Sequence, residues 1–325
     1  MNERMGMMQP AGPAAEAIAD LTIVLVIYAA VLFTFVVVLL TIAIFRRRSP
    51  ASTEGNEIPA PLLPGRADER RAASWVAILG IVIPTAVVWS LFVLAMGTMD
   101  DLEAEGTADV VIEIEGRQYW WDIRYLDDQG GVLFRTANEV HIPVGREIEL
   151  RLTAADVIHS VWAPRITGKL DMIPGRENIM RFRVDETGVF RGVCAEYCGL
   201  QHTRMAFLAI AETEPAYNAW LSSNTSPARE PESDQAAAGR TVFASSQCAS
   251  CHTVRGVNSE ATLGPDLTHI ASRRTLAAAT LANNRGNLAG WITNPQALKP
   301  GALMPPSTLS PDSLRSLLSY LEQLR

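Results

Sequence analysis

Cysteine, histidine and strong net charge are all scarce in this sequence of 325 residues. It has four cysteines and five histidines, and its formal net charge is −7 at pH 7. The cysteines fall into two local pairs, 194/198 and 248/251, which do not resemble the framework of a small disulfide scaffold. The modest acidic charge argues against a nucleic-acid partner. Chemistry that needs sulfur or imidazole must therefore be concentrated at a few positions.

Charge is absent from residues 21–45, which are rich in Leu, Val, Ile and Phe. As a helix this run would span roughly 37 Å, enough to cross a hydrocarbon core of about 30 Å. A second apolar run, 72–97, contains Pro84, where a helix kink is tolerable. A signal peptide is the alternative for the first run, but the run is too long, starts late and lacks a cleavage site. We therefore predict a two-helix transmembrane hairpin.

Arginine is unevenly distributed around these two runs. The intervening loop, 46–71, holds six arginines, whereas the first 20 residues hold only Arg4. The positive-inside rule then makes the loop cytoplasmic. We expect the N-terminal segment, 1–20, and everything after residue 97 on the outer, periplasmic side of a bacterial inner membrane.

Short runs that alternate apolar with polar residues follow the hairpin. Residues 110–114, 147–153 and 179–184 have this pattern, which is typical of half-buried strands. We predict a β-sandwich over 98–222, with its functional loops at one end. A polar, Pro/Ser-rich linker, 223–234, then leads to a second folded domain, 235–325.

Within the predicted sandwich, two thiols, an imidazole and a thioether lie in twelve residues, 194–205. The order is Cys194, Cys198, His202 and Met205, and His159 in an upstream loop is available to complete a site. Soft sulfur ligands combined with imidazole suit copper. A disulfide between the two cysteines is the plainer alternative for an exported domain. A disulfide would not need a His and a Met at fixed positions beyond it, so the pattern favours a metal site.

The second cysteine pair has the C-x-x-C-H form of a c-type haem attachment site, Cys248-Ala-Ser-Cys251-His252. A thioredoxin-like pair or half of a zinc site is the alternative, but no second C-x-x-C exists in the chain. Met304 follows His252 by about fifty residues and precedes two prolines, a position that favours an axial haem ligand over a core methionine. The final helix is expected to begin at Ser310, a natural N-cap followed by Pro311.

Three segments together carry a family resemblance. Residues 116–121, 156–162 and 194–205 resemble the dinuclear copper (CuA) domain of cytochrome c oxidase subunit II, and 235–325 is similar to a class I cytochrome c. The whole chain resembles the subunit II of caa3-type oxidases, in which a CuA subunit carries a fused cytochrome c. The resemblance implies a multidomain membrane protein with a two-helix transmembrane hairpin, a cupredoxin-like β-sandwich and an all-α cytochrome c domain.

The resemblance also implies the residues of the copper centre. Glu196 would act twice, through its backbone carbonyl on copper and through its carboxylate on magnesium at the border with subunit I. Tyr119, at the head of the run Tyr119-Trp120-Trp121, stands where the family usually has the tryptophan through which electrons enter. The implied copper ligands are His159, Cys194, Glu196, Cys198, His202 and Met205.

For haem c the resemblance implies covalent attachment at Cys248 and Cys251. His252 and Met304 would be the axial ligands. The carbonyl of Pro265 would accept the N–H of His252, a bond that orients the ligand. The acidic copper domain and the mildly basic haem domain are expected to dock transiently through complementary faces.

The activity implied is that of a subunit of a proton-translocating cytochrome c oxidase. Haem c would accept electrons from an upstream cytochrome c or a quinol–cytochrome c reductase and pass them to CuA. CuA would deliver them to haem a of subunit I, which reduces oxygen with CuB, in a complex with subunit III and membrane lipid. The alternative is the copper-bearing subunit of a nitric oxide reductase, because the difference would lie in the partner subunit. Glu196 argues against a nitrous oxide reductase, and a copper chaperone would need neither Met205 nor a haem.

Overall fold

The structure is a computed structural model that describes residues 6–46, 66–102 and 107–325. It divides into two compact units, one formed by Ala17–Glu103 and the other by Met1–Glu16 with Ala104–Arg325. Residues 47–65 of the predicted cytoplasmic loop lie outside the described residues.

Two long apolar helical stretches make up the first unit. The most apolar windows of the two stretches have mean hydropathies of 3.1 and 2.5, and each stretch is long enough to cross a membrane. A π-helical turn interrupts the second stretch just before Pro84. Proline lacks the N–H that would bond one turn back, and a π turn is one way in which a helix accommodates such a defect. The elements are α1 Pro13–Arg46, α2 Arg66–Ala77, the π turn Ile78–Val82 and α3 Ile83–Leu102.

Ten strands form the first domain of the second unit, and the three predicted runs lie in the first, fifth and eighth of them. The strands are β1 Val110–Arg117, β2 Trp120–Leu126, β3 Val132–Ala137, β4 Glu139–Pro143, β5 Glu147–Ala154, β6 His159–Trp162, β7 Leu170–Met172, β8 Asn178–Arg183, β9 Gly188–Cys194 and β10 Ala206–Glu212. One sheet has the order β3-β2-β1-β5-β8 and the other β4-β10-β9-β6-β7. This arrangement confirms the predicted β-sandwich.

The core of this copper domain lies between the two sheets, because alternate residues of each strand point inward. Ile112 and Ile114 of β1 and Ile123 of β2 are buried there. Ala11 belongs to the same core, although it precedes the first helix. Its N–H donates to the Arg165 carbonyl at 2.8 Å, and its carbonyl accepts the Asp185 N–H at 2.8 Å. The segment before α1 is therefore part of the sandwich.

The C-terminal haem domain is helical apart from one two-stranded piece. Ser310 caps its last helix by accepting the Ser313 N–H at 3.2 Å, as predicted. Phe243 of the first helix of the domain lies against Tyr320 of the last, with ring centroids 6.4 Å apart. After α4 Glu214–Thr225, which closes the copper domain, the elements are α5 Asp234–Ser245, α6 Cys248–Cys251, β11 Thr275–Leu276, β12 Leu281–Ala282, α7 Arg285–Thr293, α8 Pro295–Leu298 and α9 Pro311–Leu321.

Buried polar contacts join the copper domain to the haem domain. The Glu139 carboxylate is 3% exposed and accepts hydrogen bonds from the Arg274 N–H at 2.8 Å and from the N–H and hydroxyl of Thr275 at 2.9 and 3.0 Å. We expected complementary charged faces to meet in a transient contact. The contact at Glu139 instead places one buried carboxylate among neutral donors.

Candidate functional site

Two thiols, two imidazoles and a thioether converge at one end of the sandwich. Cys194 Sγ lies 3.8 Å from Cys198 Sγ, and Cys198 Sγ lies 3.8 Å from both His202 Nδ1 and Met205 Sδ. His159 Nδ1 lies 3.9 Å from Cys194 Sγ. Both cysteines are free, and their separation is far beyond the ~2.0 Å of a disulfide. The disulfide alternative is therefore wrong for this structure.

The separation of the two sulfurs suits bridging by metal ions. A metal–thiolate bond is about 2.3 Å long for a first-row ion such as zinc. Since 3.8 Å is shorter than two such bonds, one ion can contact both sulfurs. Cys194, Cys198 and His159 also offer their ligand atoms within 4.8 Å of one another. A donor set of thiolate, imidazole and thioether suits copper.

Three strands of one sheet position three of these side chains. Cys194 is the last residue of β9, Met205 directly precedes β10, and His159, which we expected in a loop, is the first residue of β6. A hydrogen bond of 2.9 Å from the Cys194 N–H to the Met205 carbonyl joins β9 to β10. Cys198 and His202 lie in the loop between these two strands, where His202 begins a short 3₁₀ turn. The side chains at strand ends are therefore limited in how far they can move.

Burial and hydrogen bonding set the ionisation of the site. His159 is fully buried, and its Nε2 lies 2.8 Å from Asp156 Oδ1, which leaves Nδ1 directed at Cys194. Burial favours the neutral ring, but hydrogen bonds with Cys194 and Asp156 outweigh it and raise the pKa of His159. The hydrogen bond from Cys198 lowers the pKa of the Cys194 thiol below its usual range. The site therefore already favours one thiolate, the form that binds metal.

Gly116 makes room for the His159 ring. A Cβ at this position of β1 would lie 2.8 Å from Cδ2 and 2.9 Å from Cγ of the imidazole, closer than real contacts allow. A side chain larger than hydrogen would displace the ring. Gly116 begins one of the three segments that carry the resemblance, but the sequence did not indicate its contact with His159, because it lies on a strand of the opposite sheet.

The backbone carbonyl and the carboxylate of Glu196, for which we predicted separate roles, lie on two sides of the loop. Its carbonyl oxygen lies 3.2 Å from Cys194 Sγ, on the side of the cluster. Its carboxylate is directed away and lies 3.7 Å from the Lys169 ammonium. The structure thus brings the carbonyl, and not the carboxylate, to the other ligand positions.

A cavity of about 760 Å³ occupies the haem domain. Cys248, Cys251, His252 and Met304 all line it. His252 Nδ1 lies 2.8 Å from the Pro265 carbonyl, as predicted, so that Nε2 remains available for iron. Burial lowers the pKa of His252, which keeps the ring neutral for ligation. The cavity therefore combines two thiols, an imidazole, a thioether and apolar walls, a lining that fits a covalently bound haem.

Gly264 has the same function here that Gly116 has in the copper domain. A Cβ on Gly264 would lie 2.6 Å from Cε1 and 2.8 Å from Nδ1 of His252. Only glycine lets the backbone pass this close to the imidazole.

The copper domain supplies one wall of the haem cavity. Gln118, Tyr119 and Trp120 line it together with the haem-domain residues. The same loop also contacts the copper-site loop, because Gln118 Nε2 donates to the Cys198 carbonyl at 2.6 Å and the Leu200 N–H donates to the Tyr119 hydroxyl at 3.0 Å. Trp121 differs from its neighbours: it is buried in the sandwich, with its ring centroid 6.2 Å from that of His159.

Comparisons with known proteins agree with this geometry. Residues 119–212 match the family model described as cytochrome c oxidase subunit II, periplasmic domain, and residues 236–325 match the model described as cytochrome c. Cytochrome c oxidase subunit 2 of Alkalihalophilus pseudofirmus is 34% identical over 326 aligned positions, which cover 99% of this chain and 92% of that protein.

The chain belongs to the cytochrome c oxidase subunit II family. It is a subunit II with a fused cytochrome c domain, and hence a component of a haem-copper oxidase and a membrane protein. The subunit 2 of Bacillus subtilis is 28% identical, with 98% of this chain and 91% of that protein aligned. The crystal structure of the periplasmic domain of subunit II (CoxB) of Bradyrhizobium japonicum covers 37% of this chain and 96% of its own, at 30% identity and a TM-score of 0.35.

Proposed function

We propose that this subunit II holds a dinuclear CuA centre and a haem c, and that it passes electrons from the haem to the copper and then to subunit I. The observation that carries this proposal is the shared loop 118–120. That loop lines the haem cavity and also bonds to the Cys198 carbonyl. A single short segment of backbone therefore connects the two cofactor sites.

Five side chains and one carbonyl would hold the copper. The thiolates of Cys194 and Cys198 would bridge two ions, because they lie at the centre of the cluster and at 3.8 Å from each other. CuA supplies one-electron redox chemistry when it is bound. The protein orients the donors and buries the two thiols, the thioether and the His159 ring. The remaining ligands in the proposal are the His159 and His202 imidazoles, the Met205 thioether and the Glu196 carbonyl.

The haem would be attached through Cys248 and Cys251, with His252 and Met304 on the two sides of the iron. All four residues line one cavity. An imidazole–thioether pair leaves the iron without a free position and raises its potential, which suits an electron carrier. The Pro265 carbonyl fixes the ring orientation of His252.

The Glu196 carboxylate is the proposed magnesium ligand at the border with subunit I. It is partly exposed and lies on the outer side of the copper loop, where a partner subunit can reach it. Lys169 is its neighbour at 3.7 Å, and a bound cation would have to displace that ammonium.

The orientation in the membrane is supported by the segment before α1. Ala11 is buried in the copper domain, so the residues that enter α1 lie on the same side of the membrane as that domain. A hairpin of two spans then returns to this side, which we propose is periplasmic. The partners proposed are subunit I with haem a and CuB, subunit III, membrane lipid, and an upstream cytochrome c or quinol–cytochrome c reductase. Oxygen reduction and proton pumping would take place in subunit I.

Electron paramagnetic resonance of the full chain, matured with haem and loaded with copper, tests the copper centre. We expect two coppers per chain that share one unpaired electron, and loss of that signal in Cys198→Ser with the haem spectrum unchanged. One copper with a single-site spectrum would contradict the dinuclear assignment. Co-purification of a haem-copper subunit that consumes oxygen, and not nitric oxide, would distinguish the oxidase from the alternative reductase.

A further inference from the structure

Residues 298–300, at the end of α8, contact the loops of the copper site through three hydrogen bonds. Arg204 Nη1 donates to the Leu298 carbonyl and Gln201 Nε2 donates to the Pro300 carbonyl, both at 2.6 Å. Lys299 Nζ donates to the Tyr119 carbonyl at 2.8 Å. Gln201 and Arg204 flank the copper ligand His202, and residue 300 lies four positions before Met304. The segment thus joins the neighbourhoods of two proposed metal ligands.

Lys299 is an unusual member of this segment. Lysine occurs twice in the chain, and Lys169 is partly exposed and paired with Asp171 at 3.0 Å. Lys299 is 2% exposed, and within the part of the chain that the structure describes its ammonium bonds only to carbonyls, those of Tyr119 and of Ala277 at 3.1 Å. A buried ammonium without a carboxylate partner is costly unless hydrogen bonds satisfy it. Burial lowers the pKa of Lys299 to about 7.

The second acceptor of Lys299 lies in a strained turn. Ala277, Ala278 and Ala279 have φ of 54°, 58° and 53°, a left-handed conformation that alanine adopts only at a cost. Two carbonyls of the turn accept from the copper domain, and that of Ala279 accepts from Arg191 Nη1 at 3.2 Å. The Ala278 carbonyl accepts the Ala206 N–H at 3.2 Å, next to Met205. The haem domain therefore holds an unfavourable backbone conformation where it meets the copper site.

We propose that Lys299 is a positioning residue for electron transfer from haem c to CuA. Its ammonium ties the Tyr119 carbonyl of the copper domain to the Ala277 carbonyl of the haem domain. It thereby holds the segment that leads to Met304 against the loop that bonds to Cys198. The inference rests on the proposed function of the two cofactor sites.

The step that it serves transfers one electron and breaks no bond. A haem held by His252 and Met304 would give up one electron, and copper held at Cys194 and Cys198 would accept it. Lys299 gains and loses nothing in this step. Its effect is geometric, because the rate of electron transfer falls as the separation of the two cofactor sites grows.

The test compares Lys299→Met with Lys299→Arg and with Arg315→Met in the full chain, in lipid nanodiscs. Methionine keeps the length of the side chain and removes its donors, and arginine keeps the charge. Arg315→Met removes a cation from an exposed ion pair of α9 and is the matched control. The first readout is the rate of haem oxidation by CuA after rapid photoreduction of the haem. The second is amide hydrogen exchange of residues 277–280 and 296–304 in the copper-free chain.

We expect Lys299→Met to slow the transfer by at least about tenfold and to accelerate exchange in both segments by a similar factor, since one bond to a charged donor is worth about that much. Lys299→Arg should restore part of the transfer rate and part of the protection from exchange. Arg315→Met should change neither the transfer rate nor the exchange. Normal transfer and exchange in a fully loaded Lys299→Met chain would overturn the proposal. If the methionine variant does not fold, Lys299→Gln takes its place with the same criteria. A wild-type chain without haem-to-copper transfer would instead refute the proposed function.

Discussion

Replacement of Gly116 by alanine should displace His159 and weaken copper binding, while the haem site stays intact. The new Cβ would lie 2.8 Å from His159 Cδ2, whereas ordinary contacts begin at 3.4 Å. The imidazole would have to move by about 0.6 Å to restore an ordinary contact. It has little room to do so, because it is fully buried and its Nε2 bonds to Asp156.

The structure sets the size of the effect. Overpacking of a filled core costs about 1–3 kcal/mol of folding free energy. Metal–ligand distances tolerate shifts of only about 0.2 Å, and loss of the groups that orient a ligand weakens metal affinity about 10–100-fold. We therefore expect a loss of stability in the copper-free protein, and in addition a lower copper affinity.

The assay measures copper per chain at graded free copper, together with thermal unfolding of the copper-free protein. Gly286→Ala on α7 is the control, because its Cβ would meet no atom closer than 3.5 Å. The haem spectrum should be normal in both variants. Wild-type copper affinity and stability in Gly116→Ala would refute the reasoning, since the ring would then have moved at no cost.

Three further predictions concern the haem domain and its interface with the copper domain. Gly264→Ala should displace His252 and so reduce the fraction of chains with the absorption spectrum of histidine–methionine-ligated haem, with copper content unchanged. Glu139→Gln should lower the free energy of unfolding by about 1.5–3 kcal/mol, because three donors lose a charged acceptor; urea unfolding measures this. For Lys299 the pKa is about 7 when folded and 10.5 when unfolded, so between these values the unfolded chain binds more protons and stability rises with pH. The stability of the copper-free wild type relative to Lys299→Met should therefore increase from pH 7 to pH 9, by up to about 1.4 kcal/mol per unit, and a flat difference would contradict the lowered pKa of Lys299.

The clustering of both sets of candidate ligands could be predicted from the sequence, because most of their members are close together along the chain. Four of the copper-site side chains lie within twelve residues, and the haem thiols and proximal histidine lie within five. The spacing of such residues along the sequence is enough to indicate where they will cluster. The cap at Ser310 is local in the same way, and the structure confirms it.

The groups that position those ligands could not be predicted in this way. Lys299 and Tyr119 are 180 positions apart and meet only because two domains pack together. In the sequence Lys299 stands between Leu298 and Pro300, with no sign that its charge is buried. In the sequence Gly116 likewise appears as an ordinary strand residue. Only the structure shows that a side chain at this position would collide with His159. The expected attraction between charged faces also did not indicate the contact at Glu139, because the groups that donate to its carboxylate are neutral.

The burial of Ala11 in the sandwich bears on the order in which the copper domain is completed. Ala11 and the strands of the sandwich belong to one compact unit, although both apolar helices stand between them in the sequence. One residue of this core is therefore synthesised before the helices, and the others are synthesised after them. Removal of residues 6–12 would leave every proposed ligand in place and would still take one buried side chain and two backbone hydrogen bonds from the core.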